Sequence, residues 1–265
     1  MAMGKVEVVN ACPDDEDAIF WMPDRKTLEA YQKADLVIIN GAGFEKWVSK
    51  VSLPQERLVD SAKALPEPLI RFEKATTHSH GPAGAHAHTG IEGHTWVDPV
   101  TALIQSEIIY AAMLTAFPEH RDSFWRGFTK LKEELEALHR EFQAISDSSS
   151  RPPLLVSHPA YNYIARRYDW NIQNLDLDPE SLLSKAQIDD ITSTLQTFPA
   201  KVLMWESEPS DAVRQQVASA LGLKSIVFSP CELLSASELA DGLNYVTVMK
   251  TNCDVMRSVL ERVER

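Results

Sequence analysis

Two runs, Leu36-Val37-Ile38-Ile39 and Val202-Leu203-Met204-Trp205, are apolar at every position, and a turn and a helical pattern follow each. A strand that is apolar on both sides has no face to give to water, so it belongs in a sheet covered by helices on both faces. Shorter β-rich runs at 5–9, 35–39, 57–60, 153–157, 171–175, 201–205 and 225–228 repeat the arrangement, with helical patterns between most of them. The expected class is α/β: two lobes, each a mostly parallel sheet flanked by helices and wound by right-handed crossovers.

One segment breaks the alternation. Phe124, Phe128, Leu131, Leu135, Leu138, Phe142 and Ile145 recur at intervals of four and three through a charged stretch with no glycine or proline after Gly127. That spacing predicts one long amphipathic helix. Ser146-Asp147-Ser148-Ser149-Ser150-Arg151-Pro152-Pro153 stops it. The expected division is an N-terminal lobe over 1–121, a linking helix over 122–150 and a C-terminal lobe over 151–265. Other boundaries carry their own signals: Asp98-Pro99 opens a helix, Ser184 with Gln187 forms a capping box, Ser210 precedes a further helix and Gly222 closes it.

The balance of 26 Lys and Arg against 38 Asp and Glu gives a formal charge of −12, which repels nucleic acid and anionic membrane surfaces and draws cations. No membrane-spanning run is expected, and Met1-Ala2-Met3-Gly4-Lys5 lacks the apolar stretch of a secretion signal. Cys12, Cys231 and Cys253 show neither a CxxC pair nor zinc-finger spacing, so a cysteine-built metal site is disfavoured; Cys231 and Cys253 are either one disulfide or two buried thiols.

Histidine carries the chemical signal. Of eight, four stand in a tract diluted with Gly, Ala and Pro, at His78, His80, His86 and His88, and His94 follows in Gly93-His94-Thr95-Trp96-Val97-Asp98-Pro99. Imidazole suits zinc, copper, nickel and iron, and a tract of this kind binds such ions without a fold of its own. The alternative is a solubilising loop. In open parallel sheets, ligands bind beyond the carboxyl ends of strands. That rule selects His158, directly after Leu154-Leu155-Val156-Ser157, and Glu206, directly after Trp205, with Ser229-Pro230-Cys231 after a third strand. His94, His158 and Glu206 are the candidate metal residues, with Glu206 either a ligand or a carboxylate that orients a ligand histidine. His120 and His139 lie in charged helical surroundings and take no role. GxSxG, HExxH, GxxxxGK[ST] and GxGxxG are all absent, so no catalytic site is expected; Gly41-Ala42-Gly43 reads as a tight strand-to-helix turn.

With these residues in view, the chain resembles the solute-binding proteins of zinc/manganese ABC importers, the ZnuA/TroA-like family, from about Lys5 to the C-terminus. The resemblance rests on Ala34-Asp35-Leu36-Val37-Ile38-Ile39-Asn40-Gly41 with Gly43-Phe44-Glu45-Lys46-Trp47, on the histidine loop leading into His94-Thr95-Trp96-Val97-Asp98-Pro99, on the long helix, on Val156-Ser157-His158-Pro159-Ala160-Tyr161, and on Trp205-Glu206-Ser207. It implies two lobes bridged by a rigid helix, holding one ion in the cleft with two side chains from each lobe. His94 and His158 match two of those positions. Ile19 stands where a third ligand, a histidine, is expected, and Ser229 where a ligand carboxylate is expected. The resemblance also implies a strand and helix ahead of residues 5–9 that this chain does not show. Their loss would leave a gap in the first-lobe sheet, making that lobe less stable or dimeric unless another segment fills it.

The function so implied is delivery of a divalent transition metal, zinc first and manganese second, to an ABC importer permease from a periplasmic or extracytoplasmic location. The site would be incomplete, recruiting Glu206, Cys231, the acidic run Asp14-Asp15-Glu16-Asp17, the histidine loop or water. Two alternatives stand beside it: a degenerate member with an apolar cleft at Ile19 and Trp21 that serves as a scaffold, and a metal-dependent hydrolase.

Overall fold

The computed structural model describes the backbone of residues 1–14, 16–72, 76–79, 85–88 and 90–263, and side chains outside 73–89 and 260–265. Asp15 and His80 therefore lie outside the described residues. In chain order come α1 (Arg25–Lys33), β1 (Val37–Ile39), β2 (Leu58–Asp60), β3 (Thr76–Ser79), β4 (Ala85–His88), α2 (Pro99–Ala116) and α3 (Arg121–Asp147). There follow β5 (Leu154–Val156), α4 (Asn162–Tyr168), β6 (Ile172–Asn174), α5 (Lys185–Thr197), β7 (Val202–Trp205), α6 (Asp211–Leu221), β8 (Lys224–Val227), α7 (Ala236–Ala240) and α8 (Tyr245–Val263).

The helix boundaries follow the predicted side chains. Asp98 accepts from the Val100 amide at 3.0 Å and the Thr101 hydroxyl at 2.8 Å, with Pro99 in the first turn of α2. Ser184 and Gln187 close a reciprocal capping box on α5, Ser210 caps α6, and Gly222 ends α6 at φ +67°. α3 runs unbroken for 27 residues and buries Phe124, Leu135, Leu138, Phe142 and Ile145.

The chain forms two compact units that interleave along the sequence. The first comprises Met1–Leu69, Gly93–His139 and Glu232–Leu243; the second comprises Ile70–Glu92, Arg140–Cys231 and Asn244–Arg265. A linear partition at 121/122 and 150/151 does not capture this. The histidine tract groups with the second unit, the stretch from Glu232 to Leu243 returns to the first, and α3 contributes residues to both.

In the first unit β1 and β2 run parallel, Val37 opposite Leu58 and Ile39 opposite Asp60. Trp47 is buried beneath them, stacked on Tyr31 at 5.1 Å and edge-on to Trp21 at 6.2 Å. The stretch 5–9 is not a strand, contrary to the expectation from its β-rich composition. Strands exist by pairing, and this one finds no partner among the described residues; Val8 and Val9 are exposed, and so is Ile38 at the middle of β1. α2 is long and apolar enough, by length and composition, to cross a membrane, which the sequence reading did not anticipate. It nevertheless buries two polar residues, Thr101 and Gln105, inside this unit.

In the second unit four parallel strands run in the order β6-β5-β7-β8. Every residue of β5 and β7 is buried, as runs apolar on both sides require. Leu155, Leu203 and Trp205 pack with Ile191 of α5 and Val213 and Val217 of α6. Phe142 of α3 meets Tyr168, Trp170 and Phe228 at ring-centre distances of 5.5, 5.9 and 6.1 Å. Cys231 and Cys253 both remain thiols; burial pushes the Cys253 thiol up to about 12.

Within the histidine tract, the described residues 76–79 and 85–88 are paired strands, where composition alone suggests a loop. β3 and β4 pair antiparallel, His78 opposite His86 and Thr76 opposite His88. The pairing continues below them, with Phe72 N–H donating to the Gly90 carbonyl at 2.9 Å and Glu92 N–H to the Ile70 carbonyl at 2.9 Å. One phenol ties the base to the sheet unit: the Tyr163 hydroxyl accepts from Ile70 N–H at 3.1 Å and donates to the Glu92 carbonyl at 3.0 Å. Burial pushes this phenol up to about 12. Because the folded value lies above the unfolded value near 10, the bracing is complete below pH 10 and is lost as pH rises through 12, when the proton given to Glu92 is gone. Tyr163→Phe should leave both backbone groups unmatched, costing about 1–3 kcal/mol. Hydrogen exchange at residues 70–72 and 90–92 should accelerate while exchange in β5 and β7 stays unchanged; uniform acceleration would show that Tyr163 braces the whole unit and not the hairpin.

Candidate metal centre

Each unit buries one of the predicted histidines beside a carboxylate. In the first unit, His94 precedes a single 3-10 turn over Thr95–Val97 that runs straight into α2. The residue is 1% exposed. Phe44 packs edge-on against it at 5.4 Å and against Trp96 at 4.7 Å. Gly93 permits this approach, since a β-carbon there would stand 3.0 Å from Phe44 Cβ. Phe44 is itself delivered by the turn after β1, where Gly41, Ala42 and Gly43 all have positive φ. Glu45 closes that turn, its two carboxylate oxygens accepting from Asn40 N–H at 2.7 Å and Gly41 N–H at 3.2 Å. Burial holds the Glu45 carboxyl above its ordinary range, against the lowering effect of these amides. The glycine motif thus shapes a wall of the histidine site, in keeping with its reading as a tight turn.

The carboxylate partner of His94 is Glu232, its Oε1 2.8 Å from His94 Nε2. Sequence reasoning missed this residue. The strand-end rule took in Ser229-Pro230-Cys231 and the resemblance points to Ser229, while the acidic side chain follows one position later, at Glu232. Cys231 turns the chain with φ +56°, a conformation that side chains disfavour, immediately before Glu232.

In the second unit, β5 and β7 lie side by side with Val156 opposite Met204. Two residues beyond that pair on each strand stand His158 and Glu206, so the parallel register itself makes them neighbours. The ladder extends over this stretch through Ser157 N–H donating to the Met204 carbonyl at 2.8 Å. His158 Nδ1 is 3.4 Å from Glu206 Oε2, with the imidazole 3% exposed.

The two departures from the family pattern have plain structural fates. Ile19 is 4% exposed, a core residue of the first unit; its amide donates to Asp17 Oδ1 at 2.8 Å and its carbonyl accepts from Lys46 N–H at 3.2 Å. Ser229 is held by Asn252, which accepts from its amide at 3.1 Å and donates to its carbonyl at 2.8 Å, while Ser229 Oγ accepts from Cys231 N–H at 3.2 Å.

The chain thus forms two α/β units to which one long helix contributes, each unit carrying a buried histidine beside a carboxylate. The structure matches the metal-dependent lipoprotein YcdH from Bacillus subtilis with a TM-score of 0.83 and 23% identity, covering 98% of this chain and 93% of that one. It matches the Zn(II)-bound ZnuA-like domain of Streptococcus pneumoniae AdcA with a TM-score of 0.79 and 19% identity, covering 94% and 88%. The chain belongs to the family of zinc-uptake complex component A, periplasmic, whose pattern it matches over residues 1–259. Among curated relatives it is 24% identical over 245 residues to the zinc-binding lipoprotein AdcA of Streptococcus pneumoniae serotype 4, covering 91% of this chain and 48% of that protein. It is 25% identical over 245 residues to the high-affinity zinc uptake system protein ZnuA of Bacillus subtilis, covering 91% and 76%. The chain thus spans about half the length of the AdcA relatives it matches.

The wall of the His94 site has a point of no tolerance at Gly41. It sits at φ +81°, and a β-carbon there would fall 1.8 Å from Asp60 Oδ1. Gly41→Ala should destabilise the first unit by about 1–3 kcal/mol through backbone strain alone, read as a lower urea midpoint. Gly222→Ala, equally at positive φ but with open space around it, should cost less; equal losses would mean that the Asp60 contact contributes nothing.

Proposed function

We propose that the chain is a zinc-binding solute-binding protein that hands its ion to the permease of an ABC importer outside the cytoplasm. His94, Glu232 and His158 are the proposed ligand residues, and Glu206 orients His158 through Nδ1. The single observation that carries this reading is that both histidines selected from the sequence are buried, each against a carboxylate, in a chain whose family is one of zinc-uptake components. Neutral imidazole and carboxylate are the donors zinc takes at about 2.0–2.2 Å. A carboxylate on one ring nitrogen of a ligand histidine fixes the ring and raises the basicity of the other nitrogen. Glu232 replaces the carboxylate lost at Ser229, so the site is altered in its sequence position and not emptied. Manganese, a harder ion that favours oxygen donors, is the weaker fit to a set holding two imidazoles. The burial of Ile19 removes one wall of the apolar cleft on which a scaffold role would depend.

The test is zinc stoichiometry in a background with His78, His80, His86 and His88 replaced by alanine, so that only the buried histidines report. One zinc per chain is expected, with His94→Ala, His158→Ala and Glu232→Ala each weakening it, the two histidine variants most. Glu206→Gln should weaken binding by about 10–100-fold, the range for groups that orient a ligand. Unchanged stoichiometry in the His94→Ala/His158→Ala double variant would eliminate the site.

A further inference from the structure

His94 lies between two residues that are both fastened to one amide. Asn40, the first residue after β1, donates from Nδ2 to the Gly93 carbonyl at 2.8 Å and to the Gly41 carbonyl at 2.9 Å. Its Oδ1 accepts from the Thr95 hydroxyl at 2.7 Å and from Gln105 Nε2 at 2.8 Å. A carboxamide has two donor hydrogens and two acceptor lone pairs, and here all four are used. Its backbone is equally committed: the carbonyl accepts from Ser61 Oγ at 3.1 Å and Ala62 N–H at 2.9 Å, and the amide donates to Glu45. Gln105 reaches the same cluster from α2 and donates to Ser61 Oγ at 2.9 Å. Thr95, Gln105 and Ser61 are all buried.

We propose that Asn40 is the positioning residue of His94: by holding Gly93 and Thr95, the neighbours on either side, its amide sets the direction in which the imidazole presents Nε2. This rests on the zinc reading above and deepens it, since Asn40 acts on His94 through its two chain neighbours and is not one of the proposed ligands. The geometry singles out this residue for a physical reason. His94 sits at φ −78° and ψ 51°, outside helix and strand, so no regular ladder fixes its backbone. The Asn40 carboxamide does so instead, and it is anchored to β1, to the glycine turn and to α2 at once. A loss of a few tenths of an ångström in that register would move the ring as a whole.

The experiment measures zinc affinity by competition with a chromophoric chelator, and the visible spectrum of the cobalt(II)-loaded protein, in the background lacking the hairpin histidines. Asn40→Ala should weaken zinc by about 10–100-fold and shift the cobalt bands, which report ligand geometry. Thr95→Val, which removes one of the two fastenings, should give a smaller loss in the same direction, and Thr95→Ser, which keeps the hydroxyl, should restore affinity and spectrum. In a His94→Ala background, Asn40→Ala should add nothing, because there is no ring left to position. Asn40→Ala binding zinc like the parent protein would overturn the proposal, and so would a full additional loss in the His94→Ala background, which marks general destabilisation. Should Asn40→Ala fail to give a thermal unfolding transition without metal, the Thr95 pair carries the test, and equal affinity of Thr95→Val and Thr95→Ser overturns it. If His94→Ala alone left affinity unchanged, the zinc reading itself would fall, and with it this inference, by a result that no Asn40 variant could produce.

Discussion

A buried imidazole needs an acceptor for its N–H, and a carboxylate beside it, itself only partly open to water, supplies one. This chain meets that constraint twice, with His94 against Glu232 and His158 against Glu206. Such pairs contribute little net stability compared with apolar side chains of the same volume, and breaking one leaves an uncompensated polar group behind. Each is also the kind of site from which a metal displaces a proton, leaving neutral imidazole and carboxylate as ligands.

The surroundings of the two pairs differ in how they fix the histidine. His158 is set by sheet register: parallel strands β5 and β7 place positions 158 and 206 side by side with no further device. His94 stands outside helix and strand and is fixed by side chains, through the Asn40 carboxamide, the Phe44 ring and the Asp98 cap of α2. The family's glycine turn and its histidine motif, distant in sequence, are thus one structural piece. Gly41 lets the chain turn against Asp60, which brings Asn40 and Phe44 to the two sides of the Gly93-His94-Thr95 segment.

Much of this was legible in the residues. Runs apolar on both sides announced the parallel strands of the second unit, and capping residues announced the starts of α2, α5 and α6, because both signals are local. His158 and Glu206 could be found because they directly follow strands. Glu232 could not, since it lies beyond a proline and a positive-φ cysteine on a segment that leaves the second unit for the first, and no periodicity marks such a return. Residues 5–9 have the composition of a strand but not the partner, and composition cannot supply one. The hairpin of the histidine tract was hidden for the opposite reason: Gly, Ala and Pro suggest a loop, while the pairing is imposed from its base, where Arg71 and Ile91 bridge and Tyr163 holds both strands. Asn40 read only as part of a family motif; its role depends on contacts with Gly93, Thr95 and Gln105, which no local pattern reveals.

The central claim is that zinc is bound by the buried histidine–carboxylate pairs and not by the histidine tract. Anomalous scattering from crystals of the zinc-loaded protein, recorded on either side of the zinc absorption edge, tests it most directly. The account predicts strong anomalous density within bonding distance of the buried histidines, His94 and His158, with Glu232 as an oxygen ligand and Glu206 on the Nδ1 side of His158. Zinc confined to the β3–β4 hairpin, with no peak beside His94 or His158, would contradict it.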